Sequence, residues 1–382
     1  MAPTTRYDLI TETYPPEING VALTVQSLHE GLLQLGHGVG LVRPARAEEE
    51  PGEEDDLLRV GGAPVPRYPG LRFGLPAGGT LEARWRRQRP DAIYIATEGP
   101  LGWSALRTAR RMGIPAATGF HTRFDDYVGR YGAGFLSSWV FAWLRRFHNG
   151  GQATLVPTNE LVEDLGRQGF RQVVRLGRAV DTARFHPSRR SEALRLQWGV
   201  EAGGPVLVHV GRIAPEKNLP LLLRAYDALK AERPGARLLM VGDGPERAAL
   251  ADSRPDLIFT GMLRGEVLAT HFASADLFVF PSLSETFGNV TLEAMASGLA
   301  TVAFDYGAAR EHLVDGQHGA CVPFGDEARF VDRVLATALR PDLAALGAAA
   351  RAAVESLSPE VVARDFATLL AGLAEAATRR VA

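Results

Sequence analysis

A single cysteine in 382 residues, Cys321, leaves no way to form an internal disulfide or a cysteine-based zinc site. It stands in an apolar, strand-like stretch (GACVPF) and is expected as a buried core thiol. Neither sign of charge is in excess. The 42 Lys and Arg against 44 Asp and Glu leave a net charge of -2, which gives the whole chain no pull toward nucleic acid or a membrane. No run of about 18 apolar residues is present, so no spanning helix is expected. The start, MAPTTRYDLITETYPP, has no basic segment followed by a long apolar one. No signal peptide is therefore expected, and the cytoplasm is the default location. Several chemical motifs are also missing: GxxxxGK[ST], GxSxG, HExxH and Asp-x-Asp.

What is present is a regular alternation. Short apolar runs at Tyr7–Thr11, Val39–Arg43, Ala92–Ala96, Ala116–Phe120, Ala153–Pro157 and Val173–Leu176 predict strands in the first half. Val206–Val210, Arg237–Val241, Leu257–Thr260, Leu277–Phe280, Thr301–Phe304 and Ala320–Val322 do so in the second. Amphipathic stretches such as Val21–Leu35, Leu219–Glu232, Gly265–Ser274 and Gly288–Ser297 lie between them. Continuous apolar strands alternating with helices predict parallel sheets covered on both faces. The fold class is thus α/β, with two Rossmann-like, doubly wound domains. The length suits two cores of roughly 150–200 residues each. The polar stretch VDTARFHPSRRS (Val180 to Ser191) predicts domains at 1–185 and 186–359, with a C-terminal helix from about 360 to 382 packing back onto the first. The acidic segment Glu48–Asp56 reads as a solvated loop.

In open parallel sheets, ligands sit at the carboxyl ends of strands, and five polar clusters fall there. PPEING places Gly20 at a helix start, where a phosphate or sugar can approach the backbone; a plain tight turn is the alternative. His121, in GFHTRFDDY, follows a strand, and Asp125 could orient it or pair with Arg123; the alternative is a structural histidine. In HVGRIAPEKNL, Gly211, Arg212 and Lys217 close a strand, and two cations beside a glycine turn suit a diphosphate. Gly242, in VGDGP, begins like a dinucleotide fingerprint, but Arg247 occupies the third glycine position. The most informative stretch is PSLSETFGNVTLEAMASG (Pro281 to Gly298). Glu285 lies on its turn and Glu293 in the following helix, whose first N–H groups favour an anion. Two solvated carboxylates are the alternative for that pair in isolation. Without Asp-x-Asp, the diphosphate charge falls to Arg212, Lys217 and helix N-termini rather than to Mg²⁺ or Mn²⁺.

PPEINGVA, FHTRF, VGRIAPEKNL, VGDGP and SETFGNVTLEAMASG together resemble a GT-B, retaining glycosyltransferase of family 4. The resemblance covers almost the whole chain. It is greatest to the GDP-mannose-dependent α-mannosyltransferases and the sulfoquinovosyl- or glycosyl-diacylglycerol synthases, which share segments like Leu41–Pro44 and Pro66–Pro76. It implies two domains facing a cleft and a nucleotide-sugar donor, GDP-mannose or a UDP-hexose, used without a metal cofactor. Arg212 and Lys217 would bind the diphosphate, and Glu293 the ribose hydroxyls. Glu285 would hold sugar and phosphate with the backbone of Thr286, Phe287 and Gly288. Gly211 and Gly242 would line the donor site. Gly20 would approach the phosphate from the other domain, and His121 would contact the donor sugar. The base would lie by Gly261–Leu263, at Met262. Arg178-Ala179 departs from the family, which commonly carries glycine there.

A nucleotide-sugar-binding protein without transferase activity and an NAD-dependent oxidoreductase are the competing classes. The full motif set argues against the first and the incomplete GxGxxG against the second. The acceptor is expected to be a glycan or lipid hydroxyl. Phe135–His148 (FLSSWVFAWLRRFH), with basic clusters at Arg84–Arg89 and Arg107–Arg111, could rest on an anionic membrane surface, placing the protein peripherally on the inner face of the cytoplasmic membrane. A buried aromatic core helix is the alternative. No nucleic-acid partner is expected.

Overall fold

The computed structural model describes residues 5–17, 19–65, 72–121, 134–200 and 204–381, with backbone alone for 134–138 and 380–381. Arg123, Asp125 and most of the FHTRF motif lie outside the described residues, as does 66–71 of the Pro66–Pro76 segment. The chain divides into two compact units, one of 1–178 with 359–382 and the other of 179–358.

The first unit runs β1 (Arg6–Ile10), α1 (Gly20–Gln34), β2 (Gly38–Pro44), β3 (Gly52–Glu54), β4 (Leu57–Val60), β5 (Gly62–Pro64), β6 (Arg72–Gly74), α2 (Gly78–Arg87), β7 (Ala92–Ile95), α3 (Pro100–Met112), β8 (Ala116–Gly119), α4 (Gly134–His148), β9 (Ala153–Val156), α5 (Asn159–Arg167) and β10 (Val173–Arg175). Its eight-stranded sheet has the order β10-β9-β8-β7-β1-β2-β4-β3, parallel except at β3–β4. The strands are buried because they are apolar on both faces: all four residues of β7 (AIYI) are buried between helices. Chain reversals follow local chemistry. Proline opens α3, and Gly113 ends it in the left-handed conformation. Thr158 caps α5 by accepting the Leu161 N–H.

The second unit runs α6 (Glu192–Gln197), β11 (Val206–Val210), α7 (Leu219–Glu232), β12 (Arg237–Val241), α8 (Arg247–Ser253), β13 (Ile258–Gly261), α9 (Gly265–Ser274), β14 (Leu277–Phe280), α10 (Asn289–Ala296), β15 (Ala300–Phe304), α11 (Gly307–His312), β16 (Gly319–Val322), α12 (Glu327–Ala338) and α13 (Leu343–Val354). Its six strands are all parallel, in the order β13-β12-β11-β14-β15-β16. The last helix, α14 (Pro359–Val381), belongs to the first unit. There Ala363, Phe366 and Leu370 are buried, and the Phe366 ring meets Tyr94 edge-on at 5.1 Å. Glycine at 31 is what lets α1 and α14 approach, since a Cβ there would run into the Ala363 methyl.

Three expectations need correction. The units divide before Ala179, not after residue 185, because Val180 and Phe185 pack into the core of the second unit. The acidic segment is no simple solvated loop. Gly52–Glu54 forms an edge strand, and Glu53 pairs with Arg84 and Arg87. Glu49 pairs with Arg43, whose guanidinium holds the carboxyl down at about 2. Arg84 is itself buried, joined at 3.2 Å to the Asp8 carboxylate, which Trp85 also reaches at 2.9 Å. A buried arginine needs such partners. Cys321 is only half-buried; its thiol donates to Asp305 at 3.4 Å, and burial pushes it up to about 12.

Candidate active site

Between β11 and β14 the strand order of the second unit reverses direction, and this is where an open parallel sheet leaves a crevice at its carboxyl edge. The chain leaving β11 passes Gly211 and Arg212 into a single 3₁₀ turn, Pro215–Lys217. The chain leaving β14 passes Ser282 to Glu285 before α10. Leu283 N–H donates to the Glu216 carbonyl at 2.9 Å and ties the two segments together. The side chains then converge. Lys217 Nζ pairs with Glu285 Oε1 and lies 3.4 Å from Ser282 Oγ. Ser282 Oγ donates to the same Glu285 oxygen at 2.9 Å. The ammonium also stands 5.4 Å from the centre of the Phe280 ring. Lys217 and Glu285 are largely buried, at 13% and 18% side-chain exposure, so this ion pair is poorly screened.

The neighbouring strand end requires glycine. Gly242, after β12, has φ of 138°, and a Cβ there would strike the Gly211 carbonyl. Gly288 is the N-cap of α10, at φ of 91°, and no side chain caps the helix. The first N–H groups of α10 are thereby left for an anion. Phe287, one residue earlier, is buried; its carbonyl accepts the Ala308 N–H at 2.7 Å.

Glu293 lies on the second turn of α10. Among the described residues its carboxylate makes no hydrogen bond or ion pair. Burial pushes it up to about 7, against a smaller pull from the Arg184 charge. A half-buried carboxyl with no partner among the described residues is costly to ionise. Arg212 is different. It is 47% exposed and 3.8 Å from Glu216. Met262, just past β13, is 55% exposed.

Two family profiles match this chain: residues 18–184 match the one described as Glycosyltransferase Family 4, and residues 204–338 the one described as Glycosyl transferases group 1. A GDP-mannose-dependent alpha-mannosyltransferase of Mycobacterium tuberculosis is 35% identical over 338 residues, 86% of this chain and 87% of that protein. The chain belongs to glycosyltransferase family 4. Other proteins are similar at greater distance. An alpha-monoglucosyldiacylglycerol synthase of Streptococcus pneumoniae is 28% identical over 313 residues, 78% of this chain and 70% of that one. The structure of a sucrose-phosphate synthase from Thermosynechococcus elongatus superposes with a TM-score of 0.78 at 20% identity, covering 97% of this chain and 100% of that one. The two parallel-sheet units are those of the GT-B fold.

In this family 4 glycosyltransferase, Gly211, Lys217, Glu285, Thr286, Phe287 and Gly288 come together at the β11/β14 crevice, with Glu293 one helical turn on. Gly242 and Met262 stand at the next two strand ends. Gly20 and His121 belong to the first unit. Gly20 is the exposed first residue of α1, whose cap is Asn19, accepting the Ala22 N–H at 2.8 Å. His121 follows β8, and both its ring nitrogens are engaged, by Tyr94 and Arg178 at 2.6 Å each.

Four further groups stand at the corresponding edge of the first unit, of which the sequence marks only Arg178, and only as a departure from the family. Its strand order reverses between β1 and β7. There Glu12 accepts the Leu101 N–H at 3.0 Å, at the otherwise uncapped start of α3, and burial pushes it up to about 7. Glu98 is buried against His148 at 3.3 Å. Arg178 and Tyr94 complete the set. Glu12 carried a signal that went unread, a lone carboxyl just past the first strand; Glu98 and Tyr94 became visible only through their contacts.

Proposed function

We propose that this glycosyltransferase transfers mannose from GDP-mannose to a lipid or glycan hydroxyl with retention of configuration and without a resident metal. The observation that carries the reading is the Lys217–Glu285 pair beside the uncapped N-terminus of α10, with the unpartnered Glu293 behind it. Departure of a nucleoside diphosphate puts negative charge on phosphate oxygens as positive charge grows on the sugar. Lys217, Arg212 and the α10 N–H groups would meet the first charge without reorganising. Glu293 would accept the ribose hydroxyls. Glu285 is already held by Lys217 and Ser282, so it orients the sugar rather than attacking it. The acceptor proton then passes to the leaving phosphate oxygen on the same face of the sugar, which retains configuration.

GDP-mannose comes from the mycobacterial relative's name. A thermal-shift panel of GDP, UDP and ADP with their hexose conjugates tests it. GDP-mannose should give the largest rise, since apparent stability increases with ligand saturation, and it should support transfer. A larger rise with a UDP-hexose, and transfer from it, would replace the donor.

A lipid acceptor is favoured by a surface of the first unit. Trp139 and Trp143 on α4 are 76% and 44% exposed, while Leu144, Phe147 and His148 are buried. The helix therefore serves the core with one face and offers tryptophans on another. Trp103, Trp143, Arg107, Arg110 and Arg146 line a cavity of about 520 Å³. Indole rings beside arginines suit the interface of an anionic bilayer. No helix among the described residues is long and apolar enough to cross a membrane. At about 1 kcal/mol per arginine, the Arg110→Gln/Arg146→Gln double variant should bind phosphatidylglycerol vesicles roughly 30-fold more weakly in flotation. Equal flotation would end the membrane reading.

A further inference from the structure

Arg178 is the last residue of the first unit before the crossing to the second, and it is nine-tenths buried, at 9% exposure. Its Nη2 lies 2.6 Å from His121 Nδ1. On the other side of the ring, His121 Nε2 lies 2.6 Å from Tyr94 Oη, with the two rings perpendicular at 6.3 Å. A guanidinium has only donors. Nδ1 must therefore be the acceptor, and the single ring proton sits on Nε2, where it donates to Tyr94 Oη. Space enforces the arrangement, since a Cβ on Gly119 would strike both Tyr94 Oη and His121 Nε2.

The surrounding charges act in the same sense. Burial, then Arg178, then His148 on α4 hold His121 well below the usual histidine range. Glu98, after β7, acts on Tyr94 and is taken up by His148 at 3.3 Å. Without Arg178 the ring would lose one of the influences that lower it, burial remaining the larger, and its neutral form would divide between two tautomers.

We propose that Arg178 is a positioning residue that holds His121 as the neutral Nε2–H tautomer, so that the ring proton is committed to Tyr94 Oη and His121 is never a proton-exchanging base. Its consequence for transfer rests on the reading above, in which His121 meets the donor sugar; the tautomer itself does not. A ring whose Nδ1 is bonded to a permanent cation has a more polarised Nε2–H, which strengthens its bond to Tyr94 Oη.

The test reads long-range ¹H–¹⁵N imidazole correlations in the full-length protein without substrate, with His121→Gln to assign the signal. Wild type should keep the neutral Nε2–H pattern from pH 8 to about 5.5, a full unit below the ordinary midpoint. Arg178→Met should move the titration up, burial still holding it below the ordinary histidine value, and mix the tautomers. Arg178→Lys, which keeps a cationic donor, should restore the wild-type pattern. In transfer assays Arg178→Met should gain an acidic limb in the kcat profile that wild type and Arg178→Lys lack. A wild-type His121 that titrates near ~6.5, or that shows Nδ1–H, would overturn the proposal even if Arg178→Met does not fold. Superimposable pH profiles of wild type and Arg178→Met would overturn the positioning role. Absence of transfer from every sugar nucleotide, with the expected spectrum, counts instead against the functional reading.

Discussion

Replacing Lys217 by Met lowers the transfer rate by about 10²–10³-fold while leaving the second unit folded. That is the usual cost of losing one preorganised group aimed at developing charge. Lys217 is singled out from Arg212 by burial. Its ammonium is 13% exposed and held by Glu285, Ser282 and the Phe280 face. Arg212 is 47% exposed, so its charge is screened by water and should matter less. Methionine keeps the packing against Phe280, and Glu285 keeps its 2.9 Å bond from Ser282; the largely buried carboxylate loses its counter-charge, so the melting temperature should fall. The comparison requires both measurements. A lost rate in a variant still folded at the assay temperature supports the role, and near-wild-type turnover at saturating donor removes Lys217 from the chemistry.

Glu293→Ala should weaken nucleotide binding about 100-fold, because two hydroxyls would each lose a bond to a charged acceptor worth ~1.5 kcal/mol or somewhat more. The pH dependence is the sharper test. The folded carboxyl sits at about 7 against 4.5 for the free group. Between those values the folded chain holds a proton that the unfolded chain releases. Stability from this group is therefore greatest in acid, declines as pH rises from about 4.5 to about 7, and levels off above. The whole change is on the order of 3 kcal/mol. Glu293→Gln removes the ionisation, so its melting temperature should gain on wild type steadily from pH 5 to 8. Ligand binding runs the opposite way. Ribose hydroxyls favour the carboxylate, so nucleotide affinity of wild type should rise roughly tenfold from pH 6 to pH 8, and that of Glu293→Gln should stay flat. A flat wild-type profile by calorimetry would show that Glu293 does not receive the nucleotide.

The strands of both units were legible because each is a continuous apolar run between turn residues. β11, β12 and β14 begin and end where the pattern predicts, and the other parallel strands shift by a residue. What the pattern missed lies in 52–74, where β3 to β6 are three or four residues long. Strands that short do not establish a period, and Gly52–Glu54 is polar throughout, paired only because β4 offers its edge. The helix Phe135–His148 was ambiguous for a different reason. Aromatic residues point to both a core and an interface, and α4 supplies each on a different face.

By itself the sequence determined the α/β class, the two parallel sheets, the family and the strand ends at which polar groups gather. All of these follow from local patterns, an apolar run, a glycine turn or a cap, that a linear chain records. Only the tertiary structure decided the partners. Lys217 and Glu285 are 68 residues apart and meet because β11 and β14 are neighbours. His121 and Arg178 are 57 apart and meet because β8, β9 and β10 lie side by side. Strand order is set by long-range burial, and no local pattern encodes which buried group a given side chain will face. That is why the same reading that found His121 could not tell that Arg178 sits against it.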